Sequence, residues 1–319
     1  MAYNTQQIMM TLAALAGTAA NKQILEPLEH QEERTLKWIN QILAEPGVAT
    51  GGTWKAIWVG LSADRANMSY IAQNASATQF ALSIRGTNFA LKIDVDEDND
   101  VGELVSFAEQ AGAESYISAG AMEAFQEVTG AVSTQSKTTL AQQLQKLATQ
   151  NPGAQFFITG HSLGGCVATT VALYLQNLAK RWSTPVSFQV YTFAAPTAGT
   201  QEFAALFART FAKSSWRVYN LLDVVPNAWE TLSRITELYS GGPQATAIIK
   251  DQVAKAQAST NGNLYKQPIT NEVPLNQQGL RDMNYTANLT YDFIQQLGFQ
   301  HDVNTYLTLL DAPTVAIRS

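Results

Sequence analysis

The feature that most constrains the fold is a glycine-rich motif with one serine, set between two apolar segments. The motif is Gly160-His161-Ser162-Leu163-Gly164-Gly165. The run before it, 154–159, is typical of a buried strand, and the run after it, 167–173, is typical of a helix. Gly-x-Ser-x-Gly at such a junction predicts a tight turn that lifts the serine hydroxyl out of the sheet. The alternative is a glycine-rich turn with an incidental serine, so catalysis has to be argued from partner residues.

The segments on both sides of this motif predict an α/β fold. Three strand patterns precede it, at 54–59, 68–72 and 79–84, and a turn at 74–76 predicts an antiparallel section. Strand and helix patterns alternate from the motif onward, with strands at 155–159, 186–193 and 216–222 and helices at 164–180 and 200–212. This alternation predicts a mostly parallel central sheet with helices on both faces.

The domain organisation is predicted to be a single domain over 1–319, because no internal repeat or long linker divides the chain. Residues 1–45 predict N-terminal helices. The apolar stretch 8–20 resembles the core of a signal peptide, but residues 1–7 contain no lysine or arginine, which favours a helix packed on the domain. An apolar stripe at helical spacing within 228–262 fits either an extra packing layer or a helical cap over the site.

Charge and cysteine content exclude several classes of partner. A net charge of −6 argues against binding to nucleic acid or to an anionic membrane. No apolar run approaches the roughly 20 residues that cross a bilayer. Cys166 is the only cysteine, so no internal disulfide is possible, and we expect it to be a small buried residue. A chain without disulfides fits the cytoplasm or secretion, so localisation stays open, as does the oligomeric state.

The serine of the motif needs a base to become nucleophilic near neutral pH, and histidine suits this task. The chain has three histidines. His161 lies inside the motif, where the sharp turn should aim its ring elsewhere. His30 lies in a charged cluster that is typical of a solvated helix face. Elimination therefore predicts His301 as the base, on a loop just before a final helix.

The base needs a carboxylate that holds its tautomer. Asp223 ends an apolar strand pattern, and the C-terminal ends of parallel strands share the edge where the motif lies. Asp302 adjoins His301 and is badly placed to orient its ring. Two further candidates remain open, Asp282 and Asp292. We predict Asp223, which produces the order serine, aspartate, histidine that is typical of α/β-hydrolases.

A third requirement is a pair of donors for the negative charge of the tetrahedral intermediate. One should be the backbone N–H of Leu163, the residue after the nucleophile. The other should come from an earlier junction between a strand and a loop. Residues 85–87, Arg-Gly-Thr, follow the strand pattern that ends at Ile84, and we assign this role to Thr87. A plain turn is the alternative.

Five sequence blocks carry a resemblance to a known family. They are Ser-Ile-Arg-Gly-Thr-Asn (83–88), Phe-Ile-Thr-Gly-His-Ser-Leu-Gly-Gly (157–165), Tyr-Thr-Phe-Ala-Ala-Pro (191–196), Tyr-Asn-Leu-Leu-Asp-Val-Val-Pro (219–226) and the segment around His301. Together they resemble the lipase class 3 family, the fungal-type triacylglycerol lipases. The resemblance implies an α/β-hydrolase fold, supports Thr87 as an oxyanion residue and implies a lid at about 88–114.

The acidic run within this lid segment partly resembles a metal-binding loop. Aspartates alternate as in a calcium loop, at positions 94, 96, 98 and 100. The glycine after the third ligand and the distal glutamate are missing, so a solvated hinge is the better interpretation. We therefore predict no metal site and no cofactor.

These observations predict a serine carboxylic-ester hydrolase of lipase type. It would act through an acyl-enzyme on acylglycerols or other fatty-acyl esters, presented at a lipid–water interface. One alternative is an esterase for short-chain or aromatic, feruloyl-type esters. The other is a non-catalytic binding protein on a hydrolase fold.

Overall fold

The strands that the structure describes form one large and one small sheet. The computed structural model describes residues 3–18, 26–86, 101–275, 279–281, 285–286 and 288–318. The strands in these ranges are β1 (Trp54–Leu61), β2 (Met68–Asn74), β3 (Gln79–Ile84), β4 (Leu104–Ser106), β5 (Tyr116–Ser118), β6 (Gln155–His161), β7 (Phe188–Phe193), β8 (Ser215–Asn220) and β9 (Glu272–Leu275). The large sheet has the order β1-β2-β3-β6-β7-β8-β9, and β4 pairs with β5.

The large sheet is mixed. β1, β2 and β3 pair antiparallel, as the turn at 74–76 predicts for the last two. From β3 to β9 every neighbouring pair is parallel. Parallel strands need long crossover connections, and helices supply most of them here. The predicted α/β class with a mostly parallel sheet is confirmed.

The helices cover both faces of the large sheet. Those within the described ranges are α1 (Thr5–Leu15), α2 (Leu28–Leu43), α3 (Ala108–Ala111), α4 (Ala119–Gly130), α5 (Leu140–Gln150), α6 (Leu163–Ala179), α7 (Gln201–Phe211), α8 (Ala247–Ser259), α9 (Leu289–His301) and α10 (Val303–Leu309). One apolar core lies between the sheet and α4 to α7. The other lies between the sheet and α1, α2 and α10.

The central strand β6 shows why its sequence reads as a continuous apolar run. Phe156 faces the first core and stacks on Phe80, with 5.2 Å between ring centroids. Its neighbour Phe157 faces the second core and contacts Tyr191. Successive side chains of a strand point to opposite faces, so a strand covered on both faces needs apolar residues at both phases.

The N-terminal apolar segment forms a buried helix beneath the sheet. The backbone carbonyl of Leu12 accepts hydrogen bonds from Tyr70 Oη at 2.6 Å and Ser83 Oγ at 3.0 Å. The carbonyl of Met9 accepts one from Thr159 Oγ1 at 3.3 Å. Side chains of three strands therefore hold α1 in place.

The segment 228–262 forms a smaller layer. It contains a 3-10 helical segment, Leu232–Glu237, and the helix α8. Residues from this layer pack in a third apolar cluster with Phe293 and Leu297 of α9. Its role as a cap stays a prediction. Residues 88–100 of the predicted lid lie outside the described residues, and the rest of that segment contains β4 and α3.

Two expectations about the C-terminal third were wrong or incomplete. His301 was expected on a loop, but it is the last residue of α9. The sequence of α9 lacks a clear amphipathic pattern because polar Gln296 and Gln300 occupy buried positions on this helix. β9 was also not predicted, since Pro274 lies in it, and proline is tolerated in a strand mainly at a sheet edge. Of the helices in the described ranges, none is both long and apolar enough to span a membrane.

Candidate active site

Ser162 lies in a strained turn between β6 and α6. Its backbone has φ 60° and ψ −133°, a region that residues with side chains rarely occupy. The turn is held because Ser162 N donates to the carbonyl of Phe193 on β7 at 2.9 Å. This conformation lifts the side chain from the end of the strand towards the C-terminal edge of the sheet.

Two glycines of the motif are required by close backbone packing. A Cβ atom on Gly160 would lie 2.2 Å from the carbonyl oxygen of Gly164. A Cβ atom on Gly164 would lie 2.2 Å from the carbonyl oxygen of Ile84, at the end of β3. The start of α6 therefore touches both its own strand and the neighbouring one.

His301 connects the serine to an aspartate. Ser162 Oγ lies 2.9 Å from His301 Nε2, and His301 Nδ1 lies 2.8 Å from Asp223 Oδ2. All three residues are buried, and Asp223 has no exposed surface. Because Nδ1–H donates to the carboxylate, Nε2 is left as the acceptor for the serine hydroxyl. The structure thus brings together Ser162, Asp223 and His301, the three residues that were predicted from the sequence.

The other acidic candidates lie elsewhere. Asp292 accepts hydrogen bonds from Thr286 N at 2.9 Å and Thr286 Oγ1 at 3.1 Å, near the start of α9. Asp302 caps the N-terminus of α10 by accepting from Asn304 N at 2.8 Å. Asp282 lies outside the described residues. His30 is exposed on α2.

Asp223 has two further hydrogen-bond donors. Val225 N donates to Oδ1 at 3.0 Å, and the Tyr306 hydroxyl donates to Oδ2 at 2.8 Å. The Tyr306 oxygen in turn accepts from Asn220 N at 3.0 Å. Burial, followed by the negative charge of Asp223, raises the pKa of Tyr306 well above its ordinary value. Tyr306 is therefore a permanent donor to the carboxylate.

Sequence reasoning missed Tyr306. It lies on α10, in a helix separate from the one that carries His301. No local pattern separates this tyrosine from the other buried aromatic residues of the core. The available signal was a hydroxyl-bearing aromatic residue that lies close to the histidine in the sequence.

The residue predicted to provide one oxyanion donor, Leu163, lies at the N-terminus of α6. Leu163 is the first residue of this helix. The N–H groups of a first helical turn have no carbonyl partner within the helix and carry a partial positive charge. The N–H of Leu163 therefore lies where an anion beside Ser162 would be stabilised.

The second predicted donor, Thr87, lies outside the described residues. Its neighbour Gly86 lies against the motif, because a Cβ atom there would be 2.5 Å from His161 O and 3.1 Å from Ser162 Cβ. Arg85 holds this end of β3 by donating to two carbonyls after α1, Ala16 O at 3.0 Å and Thr18 O at 2.7 Å. Burial lowers the pKa of Arg85 to about 10, so it remains charged near neutral pH.

The arrangement can perform nucleophilic acyl transfer. A serine hydroxyl, an imidazole within hydrogen-bonding reach and a carboxylate behind that imidazole are the groups such chemistry requires.

Within the described ranges, no group of three or more histidine, cysteine, aspartate or glutamate side chains could hold a metal ion. The acidic run at 94–100 lies outside these ranges. Cys166 is buried, and burial raises the pKa of its thiol to about 12.

Comparison with known proteins points to one family. Residues 81–232 match the family described as Lipase (class 3). The chain is 38% identical over 78 residues to secreted mono- and diacylglycerol lipase 1 of Fusarium solani. The aligned segment covers 24% of this chain and 21% of that protein. The match thus spans about a fifth of the length of the Fusarium relative.

Solved structures share the fold. The crystal structure of M37 lipase has a TM-score of 0.81 and 22% identity, covering 97% of this chain and 93% of that one. The structure of Lip2 lipase from Yarrowia lipolytica has a TM-score of 0.52 and 17% identity, covering 70% and 74%. At these identities the likeness concerns the fold alone.

Proposed function

We propose that this chain, which belongs to the class 3 lipase family, hydrolyses carboxylic esters of acylglycerols or other fatty-acyl compounds. The observation that carries the proposal is the continuous hydrogen bonding from Ser162 through His301 to Asp223, at 2.9 and 2.8 Å. The Fusarium relative, whose name states action on mono- and diacylglycerols, supports the substrate class.

The mechanism follows from the roles that these atoms can take. Ser162 Oγ attacks the ester carbonyl while His301 Nε2 accepts its proton. Asp223 holds the imidazole in position and stabilises its positive charge. The same nitrogen then donates the proton to the leaving alcohol, which leaves an acyl-enzyme on Ser162. Water, activated by His301, releases the fatty acid.

The oxyanion of each tetrahedral intermediate would be stabilised by the N–H of Leu163 and by Thr87. The first has the position of a helix N-terminus beside the nucleophile. The assignment of Thr87 is supported by the closeness of Gly86 to the motif and by the family resemblance. Neither role requires a cofactor.

Exposed apolar residues favour action at a lipid–water interface. Four lie near the N-terminal ends of α8 and α9: Ile248 at 59% exposure, Leu289 at 52%, Tyr291 at 50% and Tyr285 at 41%. A 2.7 Å hydrogen bond between Thr246 Oγ1 and Thr290 Oγ1 brings these two helix ends together. A cluster of exposed apolar side chains is typical of a surface that contacts other molecules or lipid.

The test is hydrolysis of p-nitrophenyl esters of increasing chain length and of emulsified acylglycerols. We expect measurable turnover that rises when long-chain substrate exceeds its solubility. Ser162→Ala is the control and should lower kcat by about 10⁴-fold or more. Activity confined to short or aromatic esters would favour the esterase alternative. Absence of turnover together with no fluorophosphonate labelling of Ser162 would instead indicate a binding protein.

The interface can be tested separately with Ile248→Ser/Leu289→Ser. This double variant should lose activity on emulsions and keep activity on a soluble short-chain ester. Val132→Ser removes an exposed apolar side chain outside α8 and α9 and is the matched control.

The location of the protein stays open between the cytoplasm and secretion. With one cysteine the chain forms no internal disulfide, so its fold does not depend on an oxidising compartment.

A further inference from the structure

Asn220 is a buried residue beside Asp223 that the mechanism above does not use. It is the last residue of β8, and 2% of its surface is exposed. Its backbone N donates to Tyr306 Oη at 3.0 Å, and the same hydroxyl donates to Asp223 Oδ2 at 2.8 Å. Its backbone carbonyl accepts from Asp223 N at 3.0 Å. The main chain of Asn220 therefore holds both the turn that carries Asp223 and the tyrosine that donates to its carboxylate.

The side chain of Asn220 forms hydrogen bonds in two directions. Its Oδ1 accepts from Leu222 N at 3.1 Å, in the turn before Asp223. Its Nδ2 donates to the backbone carbonyl of Gln300 at 3.1 Å and to Gln300 Oε1 at 2.7 Å. Both hydrogens of the amide and its oxygen therefore have partners. One side chain thus joins the turn that carries Asp223 to the residue before His301.

The bond to the Gln300 carbonyl matters because of its place in α9. The last four carbonyls of a helix have no N–H partner within that helix. Since α9 ends at His301, the carbonyl of Gln300 is one of these groups. It belongs to the planar peptide unit that joins Gln300 to His301. A donor that fixes this carbonyl therefore also fixes the direction in which the backbone enters His301.

The side chain of Gln300 is held on its far side as well. Its Nε2 donates to Gly279 O at 3.0 Å and to Gln296 Oε1 at 3.1 Å. Gln296 is 0% exposed and Gln300 is 1% exposed. A buried amide that moves would break several hydrogen bonds at once, so such a network resists displacement. Asn220 is therefore bonded to a partner that is itself fixed.

We propose that Asn220 is a positioning residue, whose amide sets the distance and orientation between Asp223 and His301 by joining the Asp223 turn to the end of α9. The bonds of the imidazole to Ser162 and Asp223 hold the ring, and Asn220 holds the backbone from which the ring projects. A small displacement of a catalytic base lowers the rate strongly, because proton transfer depends on the distance and angle to the serine. This role rests on the proposed function, since it concerns the same site.

A purely structural role would lower stability and leave the reactivity of the folded protein unchanged. The chain offers a matched control for this distinction in Asn40, whose side chain joins α2 to β1. Its Nδ2 donates to Ala56 O at 3.0 Å, and its Oδ1 accepts from Ala56 N at 2.8 Å. β1 lies at the edge of the large sheet, away from β6 and β8. Asn40→Leu therefore removes a similar amide bridge outside the site.

The first test measures the rate at which a fluorophosphonate labels Ser162, as a function of probe concentration. We expect Asn220→Leu to lower the maximal rate by about ten- to hundredfold, the range that a displacement of about 1 Å can cause. The probe concentration at half-maximal rate should stay unchanged, because Asn220 does not face the substrate. Asn40→Leu should label at the wild-type rate. A wild-type maximal rate in folded Asn220→Leu would overturn the proposal.

Asn220→Asp is a second variant of nearly identical shape. An ionised aspartate still accepts from Leu222 N but cannot donate to Gln300, so we expect this variant to be slow as well. Rates are compared on the alkaline plateau of each pH profile, so that a change in the protonation of His301 does not contribute. A wild-type rate in Asn220→Asp would show that the bond to Gln300 is not needed, and would overturn the proposal.

A spectroscopic measurement separates failure of this proposal from failure of the proposed function. In NMR spectra of ¹⁵N-labelled histidine, the proton on His301 Nδ1 should exchange with water faster in Asn220→Asp and Asn220→Leu than in wild type and Asn40→Leu. Equal exchange rates in all four proteins would overturn the proposal. Absence of labelling in wild type would contradict the proposed function, and the exchange rates would still test how His301 is held.

Discussion

At the scale of single residues, Asp223 accepts more hydrogen bonds than the one from His301. Asp223 receives hydrogen bonds from His301, Tyr306 and Val225. A buried carboxylate is costly unless donors replace the water it has lost. These donors stabilise the charged form and also fix the direction in which the carboxylate faces the imidazole.

The backbone strain at Ser162 should be measurable. Ser162→Ala and Ser162→Gly both remove the nucleophile, but only glycine adopts φ 60°, ψ −133° without a steric penalty. We expect Ser162→Gly to be more stable than Ser162→Ala by about 1 kcal/mol in urea unfolding. A less stable glycine variant would mean that the strain is smaller than the entropy which glycine adds to the unfolded chain.

The hydroxyl of Tyr306 should matter for both stability and rate. Tyr306→Phe removes one donor from Asp223, which should cost about 1–3 kcal/mol of unfolding free energy and lower kcat by about tenfold. The matched control is Tyr239→Phe, because the buried Tyr239 hydroxyl has no hydrogen-bond partner among the described residues. Similar losses in both variants would show that the bond to Asp223 has no special role.

At the scale of elements, the helix is interrupted between α9 and α10, and this interruption determines which side chains reach Asp223. His301 ends one helix, Asp302 caps the next, and Tyr306 follows within it. A single straight helix would place residues 301 and 306 five positions apart, on different faces. The change of direction at Asp302 lets both side chains reach the same carboxylate oxygen.

Another element, α2, is attached through a buried acid that should respond to pH. Glu32 Oε2 accepts from Thr134 N at 2.8 Å and Thr134 Oγ1 at 2.5 Å, joining α2 to the loop after α4. Burial raises the pKa of Glu32 above its ordinary 4.5, so the folded state binds this proton more tightly than the unfolded state. The contribution of this bound proton to the unfolding free energy is thus complete below pH 4.5 and is lost as pH rises through the raised pKa of Glu32.

The prediction is tested with Glu32→Gln, which cannot ionise. From pH 4.5 towards neutrality, the unfolding free energy of wild type should fall relative to this variant, as measured by urea unfolding at each pH. Glu33→Gln, at the exposed neighbouring position, is the control. A constant difference between wild type and Glu32→Gln across this range would contradict the prediction.

At the scale of the whole molecule, the two ends of the chain meet on one face of the sheet. Helices α1 and α10 both belong to the second core. Gln7 Nε2 donates to the carbonyl of Leu310 at 2.8 Å, across almost the full length of the sequence. The N-terminal helix therefore covers the sheet beneath the strands that carry the site.

Removing α1 should prevent folding. Met9, Met10, Leu12 and Leu15 are all 0–1% exposed. Each large apolar side chain contributes roughly 1.5–3 kcal/mol when fully buried, so their sum approaches the 5–15 kcal/mol stability of a typical domain. A truncation that removes residues 1–17 should be insoluble or lack near-UV circular dichroism, whereas removal of 1–3 should be tolerated. A folded, active product of the longer truncation would instead favour the signal-peptide interpretation.

Much of the fold was predictable because its signals are local. The strand expected at 79–84 is β3 (Gln79–Ile84), and the helix expected at 200–212 is α7 (Gln201–Phe211). The pattern failed where polar residues are buried, as at Gln296 and Gln300 of α9, and where proline interrupts a strand, as in β9. In these places contacts with distant segments outweigh the local preference.

The sequence by itself determined the turn that presents Ser162, because glycine sterics and strand–helix periodicity act over a few neighbouring residues. It also singled out Asp223 and His301, by strand-end position and by elimination, while their catalytic roles stay predictions. Only the tertiary structure decided that Tyr306 bonds Asp223 and that His161 packs against His301. Those contacts join segments more than 80 residues apart, or 140 for the two histidines, and packing of the whole chain is what brings such segments together.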